Sequence, residues 1–150
     1  MSGATNRPVR LWIFSTPAHL PIVRGAMERL CRALGFDEHS TTRVVLSVDE
    51  ALTNIIRHAY GGAEDQPIEV ELLPESSPAA GLRIRIRDHG RPVDVRRIQS
   101  RDLDDVRPGG LGVHIMTECM DHLEYQQAEG GGTVLTMFKR LSAADGGSSR

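Results

Sequence analysis

The amino-acid sequence predicts an α+β fold, a two-layer α/β sandwich with helices on one face of a mostly antiparallel sheet. Three observations lead to it. Two long segments before residue 61 repeat apolar residues at intervals of three and four, the helical period. Two later segments alternate apolar and charged residues at period two, as half-buried strands do. Clusters of Gly, Pro and Ser divide the chain into the order strand, helix, helix, strand, strand, long loop, helix, strand, strand, with no internal repeat.

Val9 to Phe14 is a short β-rich run. A helix follows, starting at Thr16-Pro17 or at Pro21; proline suits a first turn, where its missing N–H costs nothing. Leu20, Val23, Met27, Leu30 and Leu34 form its apolar stripe, and Gly35 stops it. The second helix starts between Asp37 and Thr42 and continues to about Tyr60, where Gly61-Gly62 ends it. Val44, Val48, Leu52, Ile55 and Ala59 are its buried side, with Val45 and Ile56 on the shoulders. Glu50, Asn54 and His58 form a separate polar row, successive members about 40° apart in projection.

Ile68 to Leu73 and Leu82 to Asp88 are the two alternating strands. A hairpin would set Glu69 and Glu71 across from Arg83, Arg85 and Arg87 on the open face, as a solvated charge ladder or as a surface for a partner. His89 to Pro108 reads as a long loop, and loops of that length in compact domains often serve as lids. Gly109-Gly110-Leu111-Gly112 leads into a third helix carrying Val113, Ile115, Met116 and Met120. Strands His122 to Ala128 and Thr133 to Leu141, joined by Gly130-Gly131-Gly132, complete the sheet. The expected organisation is a flexible N-terminus at 1–8, one domain over 9–141 with a lid at about 89–109, and a disordered tail at 142–150.

With 39% hydrophobic and 25% charged residues in 16.5 kDa, the chain has the composition of one soluble globular domain. A domain of this size buries roughly 70% of the surface its unfolded chain exposes, so neither disulfides nor a structural metal are required. Cys31 and Cys119 stand singly, without zinc or redox spacing, which fits reduced thiols and a cytoplasmic location. No apolar run of 18 residues and no leader-like N-terminus occurs, arguing against membrane spanning and secretion. A net charge of −2 argues against generic nucleic-acid binding, which needs a basic surface.

Four segments carry chemistry. On the second helix, the carboxylate of Glu50 and the amide oxygen of Asn54 lie one turn apart, a pair able to share an Mg2+ site or to accept a proton; a solvated helix face has the same pattern. Asp88, in Asp88-His89-Gly90, is an acceptor-only carboxylate at a strand end that can take a hydrogen bond from an adenine amine, although a plain turn would read alike. The glycines at 109, 110 and 112 open a helix whose free N–H groups and positive dipole end favour phosphate. Thr133, after Gly131-Gly132, places a hydroxyl at the start of the last strand, where it can meet a base or simply close a hairpin.

In this order the four segments resemble the Bergerat-fold (GHKL) ATP-binding domain of histidine kinases, type II topoisomerases, the heat-shock-protein-90 class and mismatch-repair ATPases. Glu50-Ala51-Leu52-Thr53-Asn54 through His58-Ala59-Tyr60-Gly61, with Gly110-Leu111-Gly112 to Ile115-Met116 and Met120-Asp121, is most similar to the anti-sigma factor serine/threonine kinases, over about Val9 to Leu141. The resemblance implies ATP and Mg2+ as ligands, with Asn54 on the metal and Glu50 as the base that activates the attacking hydroxyl. It implies Asp88 on the adenine amine, Gly90 shaping the base pocket, Gly110 and Gly112 letting the lid close, and Thr133 supporting the base through its hydroxyl or a water. Arg57 matches a basic position, as a phosphate contact or a solvated helix arginine. The cation expected in the lid is Arg107, with Arg101 in reserve. Pro92 stands where many superfamily members carry a second glycine, and His58 matches the family without an evident chemical role.

The function implied is partner switching: γ-phosphoryl transfer from ATP to Ser or Thr of a STAS-type anti-sigma factor antagonist, and sequestration of a sigma factor or other regulatory protein. The alternatives are an ATP-binding sequestering module without transfer, and a histidine-kinase catalytic fragment. Only one helix precedes the Asn54 helix, leaving no helical hairpin for a phosphoacceptor histidine. Trp12 and Phe14 alternate with Leu11 and Ile13, placing two aromatics on the sheet face away from the helices and suggesting a homodimer.

Overall fold

The structure is a computed structural model and describes residues 7–91 and 110–142. The expected N-terminal segment as far as residue 6, the lid from Pro92 to Gly109 and the tail from Ala143 lie outside the described residues. Strand β1 (Val9–Phe14) leads through a short 3-10 turn (Pro17–His19) into α1 (Leu20–Leu34). Helix α2 (Glu38–Asn54) continues as a π-helical turn (Ile55–Ala59). Strands β2 (Pro67–Glu75) and β3 (Gly81–Asp88) come next, then α3 (Gly110–Cys119), β4 (His122–Gln127) and β5 (Thr133–Arg140).

The sheet has the order β1-β2-β3-β5-β4, every neighbouring pair antiparallel. Period-two alternation decides its two faces. Ile68, Val70 and Leu72 of β2, Leu82, Ile84 and Ile86 of β3, and Leu135 and Met137 of β5 are all buried. They form one core with Val23 and Met27 of α1, Val44, Val48 and Leu52 of α2, and Met116 of α3. Each fully buried aliphatic side chain of this kind stabilises the fold by about 1.5–3 kcal/mol relative to exposure. The expected sandwich with helices on one face is therefore the architecture found.

Local sequence explains where the helices begin and end. Both proline positions act at the start of the first helical region: Pro17 opens the 3-10 turn and Pro21 lies in the first turn of α1. Gly35 closes α1 at φ +96°, a left-handed conformation that a Cβ would oppose. Asp37 caps α2, its Oδ1 accepting from the Ser40 N–H at 2.7 Å.

The second helix departs from the expected course to Tyr60: its α-helical part stops at Asn54. The Tyr60 N–H bonds the Ile55 carbonyl at 3.0 Å and the Gly62 N–H bonds the Ile56 carbonyl at 2.7 Å, spacings of five and six residues that widen the last turn. The cause is tertiary. The Tyr60 hydroxyl is held by the Pro67 carbonyl and by the His89 N–H, and Gly61 and Gly62 reverse the chain at φ +59° and +87°.

On the open face, Glu69 lies opposite Arg87 and Glu71 opposite Arg85, but Arg83 faces Leu73. Both glutamates thus lie across from arginines as expected, with only Arg83 unmatched; the side chains pair as Arg10 with Glu71 at 3.0 Å, Arg83 with Glu75 beside the hairpin end, and His89 with Glu69 at 3.3 Å. Among the described residues no helix is long and apolar enough to cross a membrane.

Candidate functional site

The centre of the candidate site is the end of β3. Asp88 is 3% exposed, and its carboxylate accepts from the backbone N–H groups of Gly90, at 2.9 Å, and Thr133. Burial pushes its pKa up, and these two N–H groups, together with His89 and Arg87, pull it back. Thr133, the first residue of β5, is also 3% exposed, and its Oγ1 is buried without a hydrogen-bond partner among the described residues. An orphaned hydroxyl costs free energy unless something satisfies it. A carboxylate acceptor and an unsatisfied hydroxyl side by side fit the edge of a base carrying an amine.

Two glycines bring the chain this close together. A Cβ on Gly90 would overlap the backbone carbonyl of Ala59, so the end of β3 docks directly on the π-helical turn. Gly132 has φ +83°, and a Cβ there would overlap the Asp88 carbonyl, so β5 starts hard against the end of β3. The Arg91 N–H completes the first contact by bonding the Ala59 carbonyl at 3.0 Å.

That docking places the Asp88 end of β3 beside the turn that continues α2 beyond Glu50 and Asn54. Both side chains are half-buried, and neither has a hydrogen bond or ion pair among the described residues. One carboxylate and one amide oxygen are a hard-oxygen donor set too small to cage a metal alone. That suits Mg2+, which takes one or two protein oxygens and completes its shell with phosphates and water. No group of three His, Cys, Asp or Glu able to hold a metal occurs among the described residues. The residues present fit a nucleotide base at Asp88 and Thr133, and Glu50 and Asn54 would suit Mg2+ as a partial oxygen donor set.

The remaining expected residues are placed less closely. Arg57 and His58 are exposed on the π-helical turn, with no hydrogen bond or ion pair among the described residues. Gly110 and Gly112 lie in the first turn of α3. Arg107 and Arg101 lie outside the described residues. Sequence reasoning misses two tyrosines. Tyr60 bridges Pro67 and His89, and Tyr125 of β4 has its phenol pushed up to about 12 by burial, with the Asp88 charge adding to the shift. The period-two pattern of β4 could have put Tyr125 on the helix side; nothing in the sequence points to the Tyr60 bridge.

The model of the histidine kinase-like ATPase domain matches residues 13–139. The chain belongs to this family. Among curated relatives, the serine-protein kinase RsbW of Listeria monocytogenes serovar 1/2a is 26% identical over 138 residues, covering 87% of this chain and 86% of that protein. RsbW of Bacillus pumilus is 26% identical over 147 residues, 91% and 89% of the two chains. The serine/threonine-protein kinase BtrW of Bordetella bronchiseptica is 33% identical over 91 residues, 58% and 62% of the two. Among solved structures, the RsbU and RsbW domains of a Mycobacterium tuberculosis protein superpose with a TM-score of 0.66 at 18% identity, over 90% of this chain and 32% of that one, a likeness of fold.

Proposed function

We propose that this protein is an ATP-dependent serine/threonine protein kinase of a partner-switching system, working in the cytoplasm. Its substrate would be a STAS-type anti-sigma factor antagonist, and its second partner a sigma factor or another regulatory protein. The observation that carries the reading is the buried Asp88–Thr133 pair docked against the continuation of the helix that bears Glu50 and Asn54. The relatives named serine-protein kinase support it.

In this reading Asp88 accepts from the adenine amine, Thr133 gives its hydroxyl to the base directly or through a water, and Gly90 lets the pocket floor close on Ala59. Asn54 would hold Mg2+, which would supply neutralisation of charge on the phosphoryl oxygens. Glu50 takes the proton of the attacking Ser or Thr hydroxyl as its oxygen bonds the γ-phosphorus and the bond to the β-phosphate oxygen breaks, leaving ADP and a phosphorylated antagonist. Arg57 and Arg107 are assigned to the phosphates, and Gly110 and Gly112 to the closing of the lid. The new phosphate, carrying roughly −1.5 to −2 charge, weakens docking of the antagonist by repulsion and desolvation.

We assign the sheet face opposite the helices to homodimer contact. Trp12 is 61% and Phe14 40% exposed there, their rings edge to face with centroids 4.9 Å apart. Beside them runs a groove of about 430 Å³ lined by Arg10, Glu69, Glu71, Arg85 and Arg87, charges of both signs that a second copy can complement.

The test of the kinase assignment is Glu50→Gln assayed with radiolabelled ATP against the STAS-type proteins of the same genome. Retained ATP binding with transfer reduced about 10²–10⁴-fold is the expected result, the usual contribution of a positioned base. Wild-type protein that binds ATP yet transfers nothing to any of them would point to a sequestering module instead.

A further inference from the structure

Tyr60 stands outside every role assigned so far, yet its side chain joins three parts of the site. Its hydroxyl donates to the carbonyl of Pro67, the first residue of β2, at 2.5 Å. The same oxygen accepts the N–H of His89, the residue directly after Asp88, at 2.7 Å. Its own backbone N–H closes the π-helical turn on Ile55 at 3.0 Å. One phenol thus uses its donor and an acceptor site to tie the exit of the α2 extension, the start of β2 and the end of β3. The two neighbouring links, Arg91 N–H to the Ala59 carbonyl and Gly90 packed on Ala59, run between the same segments.

π-helical turns inside α-helices recur at functional sites because the extra residue re-aims the side chains beyond it. Here the wider turn carries Tyr60 to the strand end that holds the base-binding carboxylate. The Asp88 carboxylate is itself fixed by the Gly90 N–H, so the segment 88–91 is oriented from both sides: by its own turn and by the phenol.

We propose that Tyr60 is a positioning residue for nucleotide binding, a clamp that holds the Asp88–Gly90 segment against the π-helical turn and so fixes the base end of the site. The clamp rests on the nucleotide-site reading of Asp88 and Thr133. It acts on the base end, so losing it weakens ATP and ADP alike and leaves the chemical step intact once nucleotide is saturating.

Tyr60→Phe keeps the ring and removes only the hydroxyl. Calorimetric titration of wild type, Tyr60→Phe and Asp88→Asn with ATP and ADP tests the clamp, together with amide hydrogen exchange at His89 and Arg91 without nucleotide. We expect Tyr60→Phe to raise Kd about tenfold for both nucleotides, the worth of one to two hydrogen bonds. We also expect faster exchange at both amides, and in the kinase assay a raised KM for ATP with kcat unchanged. A purely structural role would lower thermal stability without moving KM and kcat apart. If wild type binds and Asp88→Asn does not, but Tyr60→Phe binds like wild type or its exchange is unchanged, the clamp is wrong while the site stands. If wild type binds neither nucleotide, the site reading fails and the clamp falls with it.

Discussion

At the scale of the residue, the account turns on Thr133. Its buried hydroxyl lacks a partner among the described residues, and a group of this type left unsatisfied costs about 1–3 kcal/mol. Thr133→Val keeps the shape and removes the orphan. The variant should therefore be as stable as wild type or more stable in chemical denaturation without nucleotide, while its affinity for ATP falls by about tenfold, the worth of a hydrogen bond or two. Equal losses of stability and affinity would show the hydroxyl to be structural. Locally the Asp88 strand end reads like a plain turn and the Glu50–Asn54 row like a solvated helix face; it is the order of the motifs and the family resemblance that single these residues out, and the structure shows Asp88 buried. Tyr60 was not legible in the sequence, because its hydroxyl partners lie 7 and 29 residues away and meet it only through the tertiary fold.

At the scale of the element, most boundaries come from local chemistry. Pro17, Pro21, Gly35 and Asp37 mark helix ends in the sequence and at those same places in the structure. Asp37→Ala should cost about 1 kcal/mol in urea unfolding, the value of an N-cap whose carboxylate serves a first-turn N–H. A change below about 0.3 kcal/mol would mean the cap contributes nothing here. The π-helical turn escaped a sequence reading because it keeps the apolar stripe of an α-helix: Ile55 and Ala59 still pack inward or partly inward, and one extra residue in the last turn hardly alters the period. On the open face the expected pairing holds for Glu69 with Arg87 and Glu71 with Arg85 but not for Arg83, which register puts opposite Leu73 while its long side chain reaches Glu75. Cys31 is buried in the core, and desolvation pushes its thiol up to about 12, which leaves it unreactive there.

At the scale of the whole molecule, the layer order was legible because period two and period 3.6 occupy separate stretches of the chain and only one face of each strand is apolar. The antiparallel order β1-β2-β3-β5-β4 leaves the opposite face to solvent, with Trp12 and Phe14 on it. Sedimentation at tens of micromolar should show a dimer for wild type and a monomer for Trp12→Glu; a wild type that stays strictly monomeric would remove the sheet-face dimer. The central claim concerns the other face, where β3 and β5 close on the continuation of α2. The most direct test is calorimetric titration of ATP and ADP, with and without Mg2+, into wild type, Asp88→Asn and Asn54→Ala. The account predicts that wild type binds both nucleotides, that Asp88→Asn loses both, and that Asn54→Ala keeps binding but loses its dependence on Mg2+. Absence of nucleotide binding by wild type, or unchanged binding by Asp88→Asn, would contradict it.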